Sequence, residues 1–166
     1  MAATSHLCEH LSRVFIVEIK RVCPQADPYT LYGKVLSSSL LLSYGIRRKV
    51  AICIRLPQGW LVAHGLRTRR LYADESSSRG LVRAALQHGS HGGLRIEPSC
   101  IFATCCRTVL DLTELLSDDI PKDLVTPLCI YISTEGHEVV LNGHRIPVWY
   151  LIAIANIVLD RLGLST

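Results

Sequence analysis

Two strand-length apolar segments flank a helical pattern early in the chain, and this arrangement most constrains the fold. The segments are residues 13–20 (RVFIVEIK) and 49–56 (KVAICIRL). Between them, after Pro28, apolar residues recur at helical spacing as far as Gly45, which we expect to end the helix. Continuous apolar strands are typical of parallel sheets with both faces covered. The order strand, helix, strand therefore predicts a right-handed βαβ unit and an α/β fold class.

The rest of the chain continues the alternation of strands and helices. We expect a helix that begins at residues 74–78 (DESSS), because short polar side chains and carboxylates stabilise a helix start. Periodicity and turn residues predict the other elements. These are a strand pair at 60–70, a flexible loop at 88–93, a strand within 95–103, a helix at 108–116, a strand at 126–133 and a last helix at 147–162.

The last helix is apolar almost all round, and a helix without a polar face must be buried on more than one side. Either it lies in the centre of the core, or one face meets a second copy of the protein. A hydrophobic content of 49% in 166 residues favours an oligomer interface. We expect one domain, residues 13–166, preceded by a flexible N-terminus at residues 1–12.

The chain has seven cysteines without the paired spacing of a zinc site or a secreted disulfide framework. We expect a cytoplasmic protein without a metal site and with mostly buried thiols, and a disulfide among Cys100, Cys105 and Cys106 as the alternative. His6, Cys8 and His10 have a spacing that arises by chance more often than as a metal site. No signal peptide or membrane span is expected, since the longest apolar stretch is too short for a bilayer.

Positive charge is concentrated in the first half of the chain. Nine of the 18 Lys and Arg residues lie between Arg47 and Arg83, where Asp74 and Glu75 are the only acidic residues, so this segment carries +7 and the remainder −3. Clustered arginines suit a polyanion, because phosphate neutralisation dominates nucleic-acid binding. They also occur on ordinary protein surfaces, and charge alone leaves both interpretations open.

Three stretches of the sequence together resemble a known family. They are LSYGIRRKV at 42–50, LYADESSSRGLVRAAL at 71–86 and YISTEGHEVVLNGHRIPVWYLIAIANIVLDRL at 131–162. They are similar to the archaeal tRNA pseudouridine-54 N1-methyltransferases of the SPOUT superfamily, and the likeness extends over residues 14–162. The segment 42–86 is its most specific part.

This resemblance implies a fold, a cofactor and an activity. The fold is a SPOUT-type parallel-sheet α/β fold with a C-terminal trefoil knot, which forms a homodimer. The cofactor is S-adenosylmethionine, bound in the loops of the knot. The activity is methylation of N1 of pseudouridine in the tRNA T-loop, where the target base must be reached in a single-stranded or splayed state.

The resemblance also assigns residues to the methyl-donor site. Two loops match the family's donor loops, one after the strand at 126–133 and one before the last helix, and they would bind mainly through backbone groups. Plain turn chemistry is the alternative for both loops. The matched residues are Ile132, Ser133, Thr134, Glu135 and Gly136 in the first loop and Leu141, Asn142, Gly143, His144, Arg145 and Ile146 in the second.

The catalytic and RNA-binding residues follow from the same match. Asp74 is a candidate proton acceptor or positioning group, with helix capping as a competing or additional role. Arg48, or alternatively Arg69, would stabilise the negative charge that develops on the base. The arginines expected to contact RNA are Arg47, Arg48, Arg69, Arg70, Arg79 and Arg83.

Several positions depart from the family pattern. Thr134 and Glu135 replace a typical Gly-Asp, and His144 and Arg145 are bulky for a donor loop. Two other readings therefore remain besides the tRNA enzyme. One is a SPOUT-like RNA-binding protein that has lost methyl transfer, or a related rRNA methyltransferase. The other is a structural protein whose arginines only solvate its surface.

Overall fold

The computed structural model of the chain describes residues 6–22, 27–43 and 45–164, in which strands and helices alternate. The strands are β1 (Arg13–Ile19), β2 (Leu41–Leu42), β3 (Gly45–Ile46), β4 (Val50–Leu56), β5 (Gly59–His64), β6 (Ser90–His91), β7 (Leu94–Glu97), β8 (Thr108–Asp111), β9 (Leu128–Thr134), β10 (Glu138–Leu141) and β11 (His144–Pro147). The helices are α1 (Pro28–Leu40), α2 (Glu75–His88), α3 (Leu112–Leu115) and α4 (Val148–Arg161), with a 3₁₀ turn at Ala103–Cys105.

Seven strands form one mixed sheet in the order β6-β7-β5-β4-β1-β9-β8. Strands β4, β1, β9 and β8 run parallel to one another, whereas β5, β7 and β6 continue the sheet by antiparallel pairing. The pairs β2-β3 and β10-β11 are separate hairpins. The α/β class is confirmed, and so is the parallel pairing of the two strands that bracket α1.

The two faces of the sheet are covered in different ways. Because side chains alternate along a strand, β1 sends Phe15 and Val17 to one face and Val14 and Ile16 to the other. The first face packs against α1, α2 and α4 in the larger core cluster. The second face packs against residues 7–11 and 100–106 in a smaller cluster that contains Phe102 and the six half-cystines. Helices cover one face, and short irregular segments cover the other.

Aspartate side chains cap the starts of α1 and α2, and the cap of α2 is the predicted one. Asp27 accepts a hydrogen bond from the amide of Tyr29, with Pro28 in the first turn, and Asp74 accepts one from the amide of Ser77. The predicted end of α1 was wrong. Leu41 is already extended, and Gly45 belongs to β3, so the β2-β3 hairpin takes up the residues that the pattern assigned to the helix.

Two other predicted elements also differ from the structure. Residues 108–111 form the parallel strand β8, and only residues 112–115 are helical, because Asp111 accepts hydrogen bonds from Thr113 and ends the strand as a helix cap. The loop expected at 88–93 contains β6, which pairs with β7 across a turn at Gly92 and Gly93. Strand pairing overrides the local pattern in both cases, with the distant β9 for β8 and with the adjacent β7 for β6.

Six cysteines are joined in three disulfides, which corrects the expectation of mostly free thiols. The pairs are Cys8–Cys105, Cys53–Cys100 and Cys106–Cys129. Cys100, Cys105 and Cys106 do not pair with each other, as the alternative had it, but each pairs with a cysteine elsewhere. The sequence spacing gives no sign of this pattern because all three bonds join segments that only the sheet brings together.

The N-terminal segment that we expected to be flexible is packed where the structure describes it. Cys8 is in a disulfide, Leu11 is buried, and Ser12 donates a hydrogen bond to the carbonyl of Lys49. Residues 1–5 and 165–166 of the predicted segments lie outside the described residues.

A buried charge network attaches the end of α4 to the sheet. Arg13, on β1, is fully buried and donates to the side chains of Asn156, at 2.7 Å, and Asp160, at 2.9 Å. Arg47 donates to both carboxylate oxygens of Asp160, at 3.0 and 2.9 Å. Asn156 in turn donates to the carbonyls of Ser38 and Ser39 in α1. One carboxylate therefore pairs with two guanidiniums from separate parts of the chain.

We predict that Asp160→Asn destabilises the protein by about 2–4 kcal/mol, because two largely buried guanidiniums then lose their counter-charge. Urea unfolding followed by circular dichroism measures the loss. Asp119→Asn, at an exposed position, is the matched control and should change the free energy of unfolding by less than about 0.5 kcal/mol. Equal effects of the two substitutions would contradict the role given to Asp160.

Candidate functional site

The carboxyl ends of β1 and β9 border a cavity of about 430 Å³, which we call the β9 cavity. Backbone hydrogen bonds from Lys20 and Arg21 to residues 134 and 135 hold the two strand ends together. The walls include Arg21, Glu135, Gly136 and Arg145. Ligands in parallel α/β sheets bind outside the carboxyl ends of the strands, so the position of this cavity is typical of a binding site.

The donor residues predicted from sequence have different environments. Glu135, Gly136 and Arg145 line the β9 cavity. Ile132 and Thr134 are buried, and the Thr134 hydroxyl donates to the carbonyl of Gly136, which closes the strand-end loop on itself. Ser133 is exposed. The structure thus brings three of the expected residues together, and neither Ile132 nor Thr134 is among the described residues that line the cavity.

The second predicted donor loop is a β-hairpin. Leu141 pairs with His144, and Asn142 and Gly143 form the two-residue turn with φ values of 52° and 79°. Asn-Gly is the pair that such turns prefer, because both positions need a positive φ. Leu141 and Ile146 pack against the larger core cluster, whereas the turn itself is exposed. The turn chemistry of the alternative reading is therefore present, and Arg145 is the residue of this loop that reaches the cavity wall.

A second cavity, of about 320 Å³, lies between α1, α2 and α4 and shares His137 with the first. We call it the α1-α4 cavity. His137 stacks on Trp149, and the Lys34 ammonium lies 4.8 Å from the centre of the Trp149 ring. Sequence reasoning missed this aromatic cluster. The available signal was Trp149, two residues after Pro147 at the start of the last helix.

Asp74 caps α2 and is exposed. Hydrogen bonds from the hydroxyl and the amide of Ser77 lower the pKa of Asp74 below its ordinary value. A carboxylate with a lowered pKa holds a proton poorly, and this favours capping or positioning over proton transfer. Glu75, the next residue, lines the α1-α4 cavity and pairs with Lys34 at 3.4 Å.

The six arginines expected to contact RNA differ in exposure. Arg47 is 7% exposed and is held by Asp160, so the expectation that it grips RNA was wrong. Arg79 is half-buried, pairs with Asp27 and lies over the ring of Tyr29, which ties α2 to the start of α1. The remaining four are exposed, and no ion pair engages them among the residues that the structure describes: Arg48, Arg69, Arg70 and Arg83.

Arg48 and Arg70 line a third cavity, of about 550 Å³, beside the β2-β3 hairpin and the segment that follows β5. We call it the β2-β5 cavity. It lies at the amino ends of β1 and β4, because Arg48 precedes β4 and Gly65 bonds to Val50. The β9 cavity is at the opposite ends of these seven-residue strands, roughly 20 Å away at the usual rise per residue. Arg48 therefore cannot reach a ligand in the β9 cavity of its own chain.

A fourth cavity, of about 270 Å³, is lined by His6, His10 and His64. Burial lowers the pKa of His64, with a further lowering from the nearby Arg67, and its Nδ1 accepts a hydrogen bond from the amide of Leu66. No group of three His, Cys, Asp or Glu side chains in the described ranges is placed to hold a metal ion. Cys8, which the sequence places between His6 and His10, is used by a disulfide.

Comparison of the chain with models of known protein families and with curated proteins finds no match. None of the helices in the described part of the chain has the length and apolar character needed to span a bilayer. Functional inference therefore depends on the cavities and on the residues around them.

Two substitutions at Asp74 should distinguish a helix-capping role of this residue from a role as proton acceptor. Asn caps helices about as well as Asp, whereas Ala does not. We expect Asp74→Asn to keep the midpoint of thermal unfolding near the wild-type value and Asp74→Ala to lower it, as measured by circular dichroism. If Asp74→Asn also retains methyl transfer to RNA, Asp74 has no role as a proton acceptor. If Asp74→Asn lowers the midpoint as much as Asp74→Ala, the capping role is wrong.

Proposed function

We propose that the protein is an S-adenosylmethionine-dependent RNA methyltransferase that methylates N1 of pseudouridine in the tRNA T-loop. The observation that carries the proposal is the β9 cavity. Glu135, Gly136 and Arg145, which come from the two matched loops, all line it. The α/β sheet agrees with the proposal. The trefoil knot and membership of the SPOUT superfamily belong to the proposal as well and come from the sequence resemblance.

The residues of the β9 cavity fit the charges of the proposed methyl donor. The volume of about 430 Å³ falls in the range of small-molecule sites. The guanidinium of Arg145 or Arg21 suits the donor's carboxylate, and Glu135 suits its ammonium and sulfonium groups. A β-carbon built on Gly136 would meet only the carbonyl of Arg21, at 4.0 Å, so the backbone here is open to a ligand.

The donor supplies an electrophilic methyl group, and the chain's residues must position the acceptor nitrogen and balance charge. N1 of pseudouridine sheds a proton as it forms its new bond to carbon, and negative charge passes into the ring. Exposed guanidiniums such as Arg48 or Arg69 can stabilise that charge. Alignment of the two reactants also accelerates the reaction, since a fixed in-line geometry lowers the entropic part of the activation barrier.

A homodimer is part of the proposal for two reasons. First, Tyr150, Ile154 and Ile157 form an exposed apolar stripe on α4, with exposed fractions of 59, 43 and 51%. Spacings of four and three residues place them on one helical face, which a second copy would cover. Second, Arg48 and the β9 cavity lie at opposite ends of the strands, so a second chain is needed to bring Arg48 to the donor.

RNA binding without methyl transfer is the second candidate function. It is favoured by the environment of Asp74, whose lowered pKa leaves no good proton acceptor among the residues that the family match assigns. An rRNA target remains a variant of the enzyme reading, since the pseudouridine chemistry would be the same.

Binding of the methyl donor is tested by filling the β9 cavity. Gly136→Leu places an alkyl chain where the glycine leaves open space, and we expect it to abolish the heat of S-adenosylmethionine binding in titration calorimetry. It should also abolish the rise in thermal midpoint that a bound ligand produces.

The control for that experiment is Gly80→Leu, since Gly80 is exposed on α2 and also has open space at its β-carbon. It should bind the donor as the wild type does. A wild-type protein that gives neither heat nor stabilisation would remove the enzyme reading and leave RNA binding as the function.

The three disulfides argue against the proposed cytoplasmic location, because disulfides persist mainly in oxidising compartments. Alkylation of thiols in acid-quenched whole cells, followed by mass spectrometry, tests it. For a cytoplasmic protein we expect labelled, free thiols at Cys53 and Cys100. An unlabelled pair at these positions would place the protein in an oxidising compartment and overturn this location.

A further inference from the structure

The β2-β5 cavity combines an apolar floor with a cationic rim. At about 550 Å³ it is larger than the β9 cavity. Leu41, Ile46, Leu66 and Leu71 contribute the apolar surface. A mostly apolar cleft with a few placed polar groups is the usual form of a site for an organic ligand.

The charge of the rim selects an anionic ligand. Arg48 and Arg70 line the cavity, and none of its described lining residues is acidic. Arg69, next to Arg70, is exposed as well. Arg47 is not part of this rim, because its guanidinium is buried against Asp160 and does not line the cavity. The two rim guanidiniums are therefore free to neutralise phosphate groups.

Tyr72 adds an aromatic surface to the same cavity. Its side chain is 58% exposed although it follows the buried Leu71, so it is not part of the core. Exposed aromatic rings beside arginines are the feature by which proteins bind unpaired nucleobases, because a base can stack on the ring while the backbone contacts the cations. A plain phosphate site would not need this ring.

Close contacts hold one wall of the cavity, the segment that follows β5. A β-carbon at Gly65 would lie 1.8 Å from the carbonyl oxygen of Arg47, so the segment after β5 presses directly on the segment before β4. Arg69 bonds through its amide to Gly92, at 2.8 Å, and the buried hydroxyl of Thr68 donates to His64. These contacts fix the positions of the rim before any ligand binds, which reduces the entropic cost of binding.

We propose that the β2-β5 cavity binds one unpaired nucleotide of a single-stranded RNA segment, with its base stacked on Tyr72 and its flanking phosphates on Arg48 and Arg70. The proposal rests on the RNA-binding part of the proposed function and adds Tyr72 as the residue that selects an unpaired base. The site lies away from the β9 cavity, so it holds the RNA independently of the methyl donor.

Fluorescence anisotropy with a labelled 12-nucleotide single-stranded RNA tests the proposal, with a duplex of the same sequence as competitor. We expect the single strand to bind more tightly than the duplex. Tyr72→Ala should weaken binding about tenfold, whereas Tyr72→Phe, which keeps the ring, should stay within about twofold of the wild type. Thermal unfolding of each variant confirms that it is folded, as the exposure of Tyr72 implies.

Substitution of the two rim arginines should change the salt dependence of RNA binding. Arg48→Gln and Arg70→Gln should each reduce the slope of log affinity against log salt by about 0.7, the value for one phosphate of a single strand, and Tyr72→Ala should leave that slope unchanged. Arg107→Gln, at an exposed arginine outside the cavity, controls for net charge and should leave both affinity and slope unchanged.

Three results would overturn the proposal: equal affinity of Tyr72→Ala and wild type, preference for the duplex, or no binding of RNA by the wild type. Full competition by a mononucleotide at the same concentration would also overturn it, since the site would then take free nucleotides. Failure of the methyl-donor experiment is a separate result. A protein that binds no S-adenosylmethionine but binds RNA through Tyr72 keeps this inference and loses the enzyme reading.

Discussion

The contact of the Asp160 carboxylate with two guanidiniums attaches the last helix, α4, to the sheet. Arg13 comes from the first strand and Arg47 from the segment before β4, and both reach the last turn of α4. Burial lowers the pKa of Arg13, and the hydrogen bond to Asp160 opposes that effect. A buried cation is tolerated only when it is paired, so the chain ends can pack here only with all three side chains in place.

The same network determines which arginines remain for function. Arg47 and Arg48 are neighbours in an arginine-rich stretch, yet one is buried against Asp160 and the other lines the β2-β5 cavity. Pairing Arg47 inside the protein pulls the segment before β4 against Gly65, and that contact shapes the cavity wall. A stabilising ion pair thus positions a binding surface without taking part in it.

Local chemistry predicted much of this fold. The apolar strands β1, β4 and β9 and the cap of α2 could be identified because each depends on residues within one segment. β8 and the disulfides could not, because they depend on which distant segments become neighbours. The β6-β7 hairpin was missed although its Gly-Gly turn is a local signal. The candidate site was predicted less well. Glu135, Gly136 and Arg145 share a cavity, but Tyr72, His137 and Trp149 carry no sequence pattern that marks them as neighbours of a ligand site.

The separation of the cavities limits how the protein can work. The strands place the β9 cavity at their carboxyl ends and the arginine-rich β2-β5 cavity at their amino ends. Under the proposed function, a nucleotide bound in the β2-β5 cavity and a methyl donor bound in the β9 cavity of one chain would lie too far apart to react. The exposed apolar stripe of α4 offers a surface for a second chain, and pairing through it is the arrangement in which the arginines of one copy could serve the donor cavity of the other.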